Sequence, residues 1–211
     1  MVFMARKGRG RLVLTVFVCL AAMLAVDGAV SEPGEALRPP FSVPEAGGGG
    51  AAVDYIRYEL GRHRTGLSAA EEMRLAEVIA EESSMRRLDP LLVLAVIKTE
   101  STFYNWSRSR KGARGLMQLR PRTGRYVAKE FDLRWSGPEA LYDPFLNVRL
   151  GIHYLSKLRE RYDDDLKALA AYNFGPGRIS RRIRRGAGVP ERYARKVFAY
   201  YREFQERARY F

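Results

Sequence analysis

Between Asp89-Pro90 and Lys98 the chain passes through an unbroken apolar run, Leu91-Leu92-Val93-Leu94-Ala95-Val96-Ile97. Asp before Pro opens a helix. The carboxylate caps free N–H groups, and proline at the first helical position gives up an N–H that would have no partner. A helix apolar on every side belongs at the centre of a domain. Glu100 follows three, four and seven residues after Ile97, Val96 and Val93, and so shares their face. A carboxyl there loses solvation, which raises its pKa towards the range of a general acid. A glutamate that frays out at the helix end and stays in water is the plainer alternative.

The flanking segments read as helices that cover this one. Ser68 and Glu71 form a capping box, and Leu75, Val78 and Ile79 give the inward face of a helix ending near Met85. Pro121 opens a helix carrying Tyr126, Val127 and Phe131. Asp143-Pro144 repeats the Asp-Pro start, for a helix running to about Tyr162. A short helix from Asp165 to Tyr172 is expected to stop at Gly175-Pro176-Gly177, and Pro190 to begin a last long helix. No stretch alternates with a period of two, and no internal repeat is present. The fold class is all-α with little or no sheet.

The ends of the chain are read differently. Arg6, Lys7, Arg9 and Arg11 precede an apolar run from Leu12 to Val26, too short for an ordinary membrane span and of signal-peptide length. Residues 1–28 are therefore expected to be a signal peptide, or an N-terminal anchor if it is not cleaved. Cys19 lacks the small residues that a lipoprotein signal places before its cysteine, so lipidation is not expected. Residues 29–52, with their prolines and Gly47-Gly48-Gly49-Gly50, read as a tether. The folded domain is expected over 53–211. The protein is then exported to the cell envelope or periplasm.

With 211 residues and a hydrophobic share of 46%, the chain can form one ordinary domain with a real core. A single cysteine excludes a disulfide framework, and two histidines leave little for a metal site. The net charge of +13 favours anionic partners, and removing residues 1–28 leaves most of it in place. Arg181-Arg182-Ile183-Arg184-Arg185, with Arg178 nearby, is the candidate anion patch. It reads either as a solvated basic loop or as a contact with an anionic wall polymer or membrane surface. Asp163-Asp164-Asp165 lacks the spacing and glycine of a calcium loop and reads as a helix start. His153 shares a face with Arg149 and Lys157, which predicts a solvated, non-catalytic side chain.

Two helices carry further detail. Asn147, Gly151, Tyr154, Leu155 and Leu158 fall on one face, so Asn147 must find partners, and Gly151 is expected to admit another helix. Asn147 could hold a loop or touch substrate. In the last helix Tyr193, Val197, Tyr200, Tyr201 and Phe204 line one face, for core packing or for sugar stacking.

The order of small motifs is more specific than any one of them. Glu100-Ser101 is followed by Ser109, by Gly112-Ala113-Arg114-Gly115-Leu116-Met117-Gln118-Leu119, by Asn147 and Gly151, and by Ala171-Tyr172-Asn173-Phe174-Gly175-Pro176-Gly177. This set resembles the soluble lytic transglycosylase family over roughly residues 85 to 200. The resemblance implies a lysozyme-like, goose-type fold and cleavage of bacterial peptidoglycan, a carbon–oxygen lyase reaction on a polysaccharide. It implies Glu100 as the catalytic acid and base, with Ser109, Met117, Gln118, Tyr172 and Asn173 in substrate binding. Tyr172 would hydrogen-bond or orient the acid, and core packing is the alternative for Met117. No metal or cofactor is implied, the partner is the glycan strand and not a nucleic acid, and a monomer is expected.

Most glycosidases set two carboxylates about the scissile bond. The family-like stretch offers only Glu100, and the substrate's acetamido group can replace the second. The implied product is a 1,6-anhydromuramyl end. A goose-type muramidase that uses water, and a catalytically silent peptidoglycan-binding or secretion module, are the alternatives. The sequence departs from the family pattern at Ser107-Arg108, Arg120 and Gly124, and in the shortened Pro190-Glu191-Arg192-Tyr193 segment.

Overall fold

The structure, a computed structural model, describes residues 49–211. The expected export signal and most of the expected tether lie outside them. Eight α-helices follow in order: α1 (Gly49–Gly61), α2 (Ala69–Met85), α3 (Pro90–Ser101), α4 (Pro121–Glu130), α5 (Pro144–Tyr162), α6 (Asp165–Phe174), α7 (Pro176–Arg184) and α8 (Arg192–Ala208). A 3₁₀ turn at Pro138–Tyr142 precedes α5. Among the described residues the only extended pairing is two isolated bridges, Arg108 with Arg114 and Arg114 with Leu119. The architecture is all-α.

Helix α3 is the central element. Leu91 to Ile97 are all buried, and Val93 to Ile97 have no exposed surface. The Asp89 side chain accepts from the N–H of Leu91 and caps the helix. Helix α3 packs on α8 and α2; α1 packs on α2, and α5 on α2 and α6. The main core joins α1, α2, α3, α5 and α8, and two smaller clusters lie under α4 and between α5, α6 and α7. Tyr172 of α6 packs against all three.

Directly after Ser101 the chain leaves the helix through two residues in left-handed backbone, Thr102 (φ 52°) and Phe103 (φ 66°). That region is costly for side-chain-bearing residues. Phe103 has no exposed surface; it stacks on His63 at 4.4 Å and meets Phe204 edge-on at 6.3 Å. Its burial offsets the strain and fixes where α3 ends, one residue beyond Glu100.

Several expectations are corrected. Helix α1 begins at Gly49, so residues 49–52 are helix and not tether; Ala51 and Ala52 are good helix formers, and Val53 packs on the core. The short helix from Asp165 stops at Gly175-Pro176-Gly177 as expected, but a further helix follows at once. Gly175 (φ 87°) terminates α6, and Pro176 takes the first position of α7, where its missing N–H costs nothing. The arginine cluster therefore sits on α7 and just after it, anchored by buried Ile179, and is not a loop. The last helix starts at Arg192 and not Pro190. His153 is buried: its Nε2 lies 2.7 Å from Arg86 Nη2 and 3.2 Å from Glu82 Oε2, and Glu82 also takes Arg149 at 3.1 Å. The helical wheel placed it beside Arg149 and Lys157, but α2 covers that face.

Candidate active site

Glu100 stands in the last turn of α3 and Tyr193 in the first turn of α8, two helices that pack together. The Tyr193 hydroxyl donates to Glu100 Oε1 at 2.6 Å. Both line a cavity of about 340 Å³ with Thr99, Asn173, Phe174, Arg192 and Lys196. Glu100 alone among these carries a carboxyl group. Burial pushes its pKa up from the ordinary carboxylate range to about 7, against the pull of the Tyr193 hydrogen bond and the Lys196 charge. At neutral pH the group is thus poised between acid and base.

Two phenols face this carboxyl. Burial and the Glu100 charge hold both Tyr172 and Tyr193 well above the ordinary phenol range, so each stays a hydrogen-bond donor. The resemblance implies that Tyr172 hydrogen-bonds or orients the acid; among the described residues its hydroxyl is not bonded to Glu100. Its hydroxyl donates to the Met117 carbonyl at 2.9 Å. The acid's partner is Tyr193, read from the sequence as part of a packing or stacking stripe and of the shortened closing segment, but not as a partner of the acid. A usable signal was present: a buried tyrosine needs a partner for its hydroxyl, and Tyr193 opens the stripe at a helix end.

The loop from Ser107 to Leu119 is fixed from α5. Asn147 Oδ1 accepts from Met117 N at 2.8 Å, while Nδ2 donates to the carbonyls of Arg114 and Leu141, both at 2.9 Å. Asn147 is fully buried and spends its amide on the loop, the first of its two readings. Gly115 (φ 77°) must be glycine, because a Cβ there would lie 2.3 Å from Asn147 Nδ2 and from the Leu141 carbonyl. Gly151 admits Met117 of this loop and not another helix; a Cβ would sit 2.2 Å from Met117 Sδ.

The predicted substrate residues fall into two groups. Asn173 is exposed and lines the cavity with Glu100. Met117 does not: its side chain has no exposed surface, and only its carbonyl serves the site, as the anchor for Tyr172. Ser109 is exposed but lies outside the cavity lining, and its Oγ accepts from Ala113 N at 3.0 Å, closing a turn. Gln118, in left-handed backbone (φ 48°), donates from Nε2 to the carbonyls of Ser107 and Gly115, both at 2.9 Å. Among the described residues no group of His, Cys, Asp and Glu could hold a metal ion.

The transglycosylase SLT domain family matches residues 77–193, which span α2 to the start of α8 and contain the whole cavity except Lys196. The soluble lytic murein transglycosylase of Escherichia coli K12 is 32% identical over 108 residues, 50% of this chain and 17% of that protein. The chain spans under a fifth of the length of the soluble relatives it matches. The lytic transglycosylase Slt of Pseudomonas aeruginosa was solved as an inactive mutant with glutamine in place of a glutamate. It superposes with a TM-score of 0.55 at 27% identity, covering 62% of this chain and 24% of that one. The 70 kDa soluble lytic transglycosylase of E. coli gives a TM-score of 0.58 at 24% identity, over 72% of this chain and 29% of that one, and shares the fold.

Proposed function

The chain belongs to the transglycosylase SLT domain family, and from that premise we propose that it is a peptidoglycan lytic transglycosylase with Glu100 as its only protein acid and base. The observation that carries the reading is a lone carboxyl, raised to about 7, in a cavity with no second carboxylate. The inactive glutamine mutant of the Pseudomonas relative is in keeping with an essential glutamate in that protein.

The reaction needs nothing beyond this residue and the substrate. Neutral Glu100 gives its proton to the oxygen between N-acetylmuramic acid and N-acetylglucosamine, and the C1–O bond breaks. The acetamido carbonyl of the muramyl sugar stabilises the positive C1. The Glu100 carboxylate then takes the proton of the C6 hydroxyl, O6 bonds to C1, and the acetamido group is released. Glu100 is protonated again and a 1,6-anhydro ring has formed, with no water consumed. Tyr193 orients the carboxyl throughout and remains a donor. Asn173, exposed in the cavity wall, is the side chain best placed to meet the sugar's polar groups. Ser109 and Gln118 act from the neighbouring loop.

The substrate fixes the compartment, because peptidoglycan lies outside the cytoplasmic membrane. Among the described residues no helix is long and apolar enough to cross a membrane. We place the export or anchoring signal in residues 1–28.

Purified peptidoglycan digested with the wild type and with Glu100→Gln tests the proposal. Products lighter by one water than the reducing sugars, and absent with Glu100→Gln, are the expected result. Reducing ends from the wild type would assign a muramidase instead. Equal inactivity of both proteins would leave a binding module.

A further inference from the structure

Two cations share the cavity with Glu100, and chemistry on a neutral sugar bond does not call for them. Arg192 and Lys196 lie one turn apart on α8, both exposed and both in the cavity lining. Their neighbours are neutralised: Arg195 pairs with Glu191 at 2.6 Å and Lys98 with Glu203 at 3.2 Å. Arg192 and Lys196 have no carboxylate within salt-bridge distance among the described residues. The Tyr200 ring, 5.7 Å from Lys196 Nζ, steadies the ammonium group without cancelling its charge. Lys196 also acts on the acid, since its charge pulls the Glu100 carboxyl down. That opposes what a general acid needs, so a residue kept there for catalysis alone would be ill chosen.

An anion delivered by the substrate resolves the conflict. Peptidoglycan differs from neutral glycans of the same backbone in the acidic peptide stems on its muramyl sugars. Resting on the function proposed above, we infer that Arg192 and Lys196 form a subsite for a stem carboxylate next to the bond that Glu100 cleaves, making them specificity-determining residues. An occupied subsite cancels the Lys196 field at Glu100 and returns the acid to its protonated form when an acidic strand is bound. Selection and acid activation are then one event.

The experiment compares native peptidoglycan with the same material after its stem carboxylates are converted to carboxamides, which leaves size and stems unchanged. Wild type, Lys196→Gln, Arg192→Gln/Lys196→Gln and the conservative Lys196→Arg are assayed for kcat/KM on both, at low and moderate salt. Wild type is expected to prefer the native strands, with the preference falling about threefold in Lys196→Gln and roughly tenfold in the double variant. Lys196→Arg restores it, and added salt erodes it in the wild type and in Lys196→Arg alike. If the wild type cuts both materials equally well, or Lys196→Gln keeps the full preference, the subsite is wrong while the transglycosylase reading stands. If Lys196→Gln shifts the pH profile equally on both materials and leaves their ratio unchanged, Lys196 only tunes the acid, and the subsite is again overturned. A wild type that cuts neither material refutes the proposed function itself.

Discussion

Tyr193 Oη lies 2.6 Å from Glu100 Oε1 and ties the first turn of α8 to the last turn of α3. A phenol that donates to a carboxylate stabilises the charged form, so this bond opposes the burial that raises Glu100 to about 7. The pair therefore sets both where the carboxyl points and how readily it gives up its proton.

Tyr193→Phe separates these two effects. Without the donor the Glu100 pKa rises further, so the basic limb of the pH–rate profile moves to higher pH. The freed carboxyl also loses its orientation, which is expected to lower kcat by roughly ten- to a hundredfold. A pH profile of anhydro-sugar release measures both. A lowered rate with an unmoved limb would mean that the bond positions the acid without acting on its proton.

Stability should carry the same signature. The folded state holds the Glu100 proton up to about 7, against an ordinary value of 4.5, so it binds that proton more tightly than the unfolded chain. The contribution is complete below the unfolded value and is lost as pH rises through the folded one. The loss over that window is on the order of 3 kcal/mol. Glu100→Gln carries no charge and escapes it. The variant should therefore gain on the wild type between pH 4.5 and 7 and hold that gain above, as read by thermal melts across pH.

The frame of this domain was readable because its signals are local. Asp89-Pro90, Asp143-Pro144 and the Ser68–Glu71 box each depend on residues within a single turn, and all three cap helices in the structure. The face of Glu100 followed from its spacing along one helix. What the sequence hid depends on which helix packs where. His153 looks solvated on its own helix and is buried only because Glu82 and Arg86 arrive from α2. Tyr193 bonds Glu100 across ninety-three positions of sequence, a distance that periodicity does not reach. Gly124, one of the departures from the family pattern, is explained by Trp135, whose ring would lie 2.9 Å from an added Cβ.

Asn147 is the pin that holds the loop beside the acid. Asn147→Ala leaves the Met117 N–H and the carbonyls of Arg114 and Leu141 without partners in a buried setting. The expected cost is about 2–4 kcal/mol, because unpaired buried groups carry their full desolvation penalty. Asn147→Asp should be no better, since an acceptor would then face two carbonyls. Urea denaturation gives the loss of stability, and limited proteolysis should open first between Ser107 and Leu119. Protection of that loop at wild-type levels would show that Asn147 does not secure it.

The contact between Gly151 and Met117 is the sharpest steric test. An alanine Cβ at 151 would meet Met117 Sδ at 2.2 Å and Met117 Cβ at 2.8 Å, so Met117 must move. Met117 is fully buried and its carbonyl anchors Tyr172, so the displacement passes to the site. Gly151→Ala should cost roughly 1–3 kcal/mol by overpacking, and Met117→Ala about 2–4 kcal/mol through the cavity it leaves. In the double variant the new methyl occupies part of that cavity. The two losses should then fall short of their sum by about 1–2 kcal/mol, the coupling typical of side chains in direct contact. Strict additivity in the four-protein cycle would mean that the two residues do not meet, and the docking of the loop on α5 would have to be redrawn.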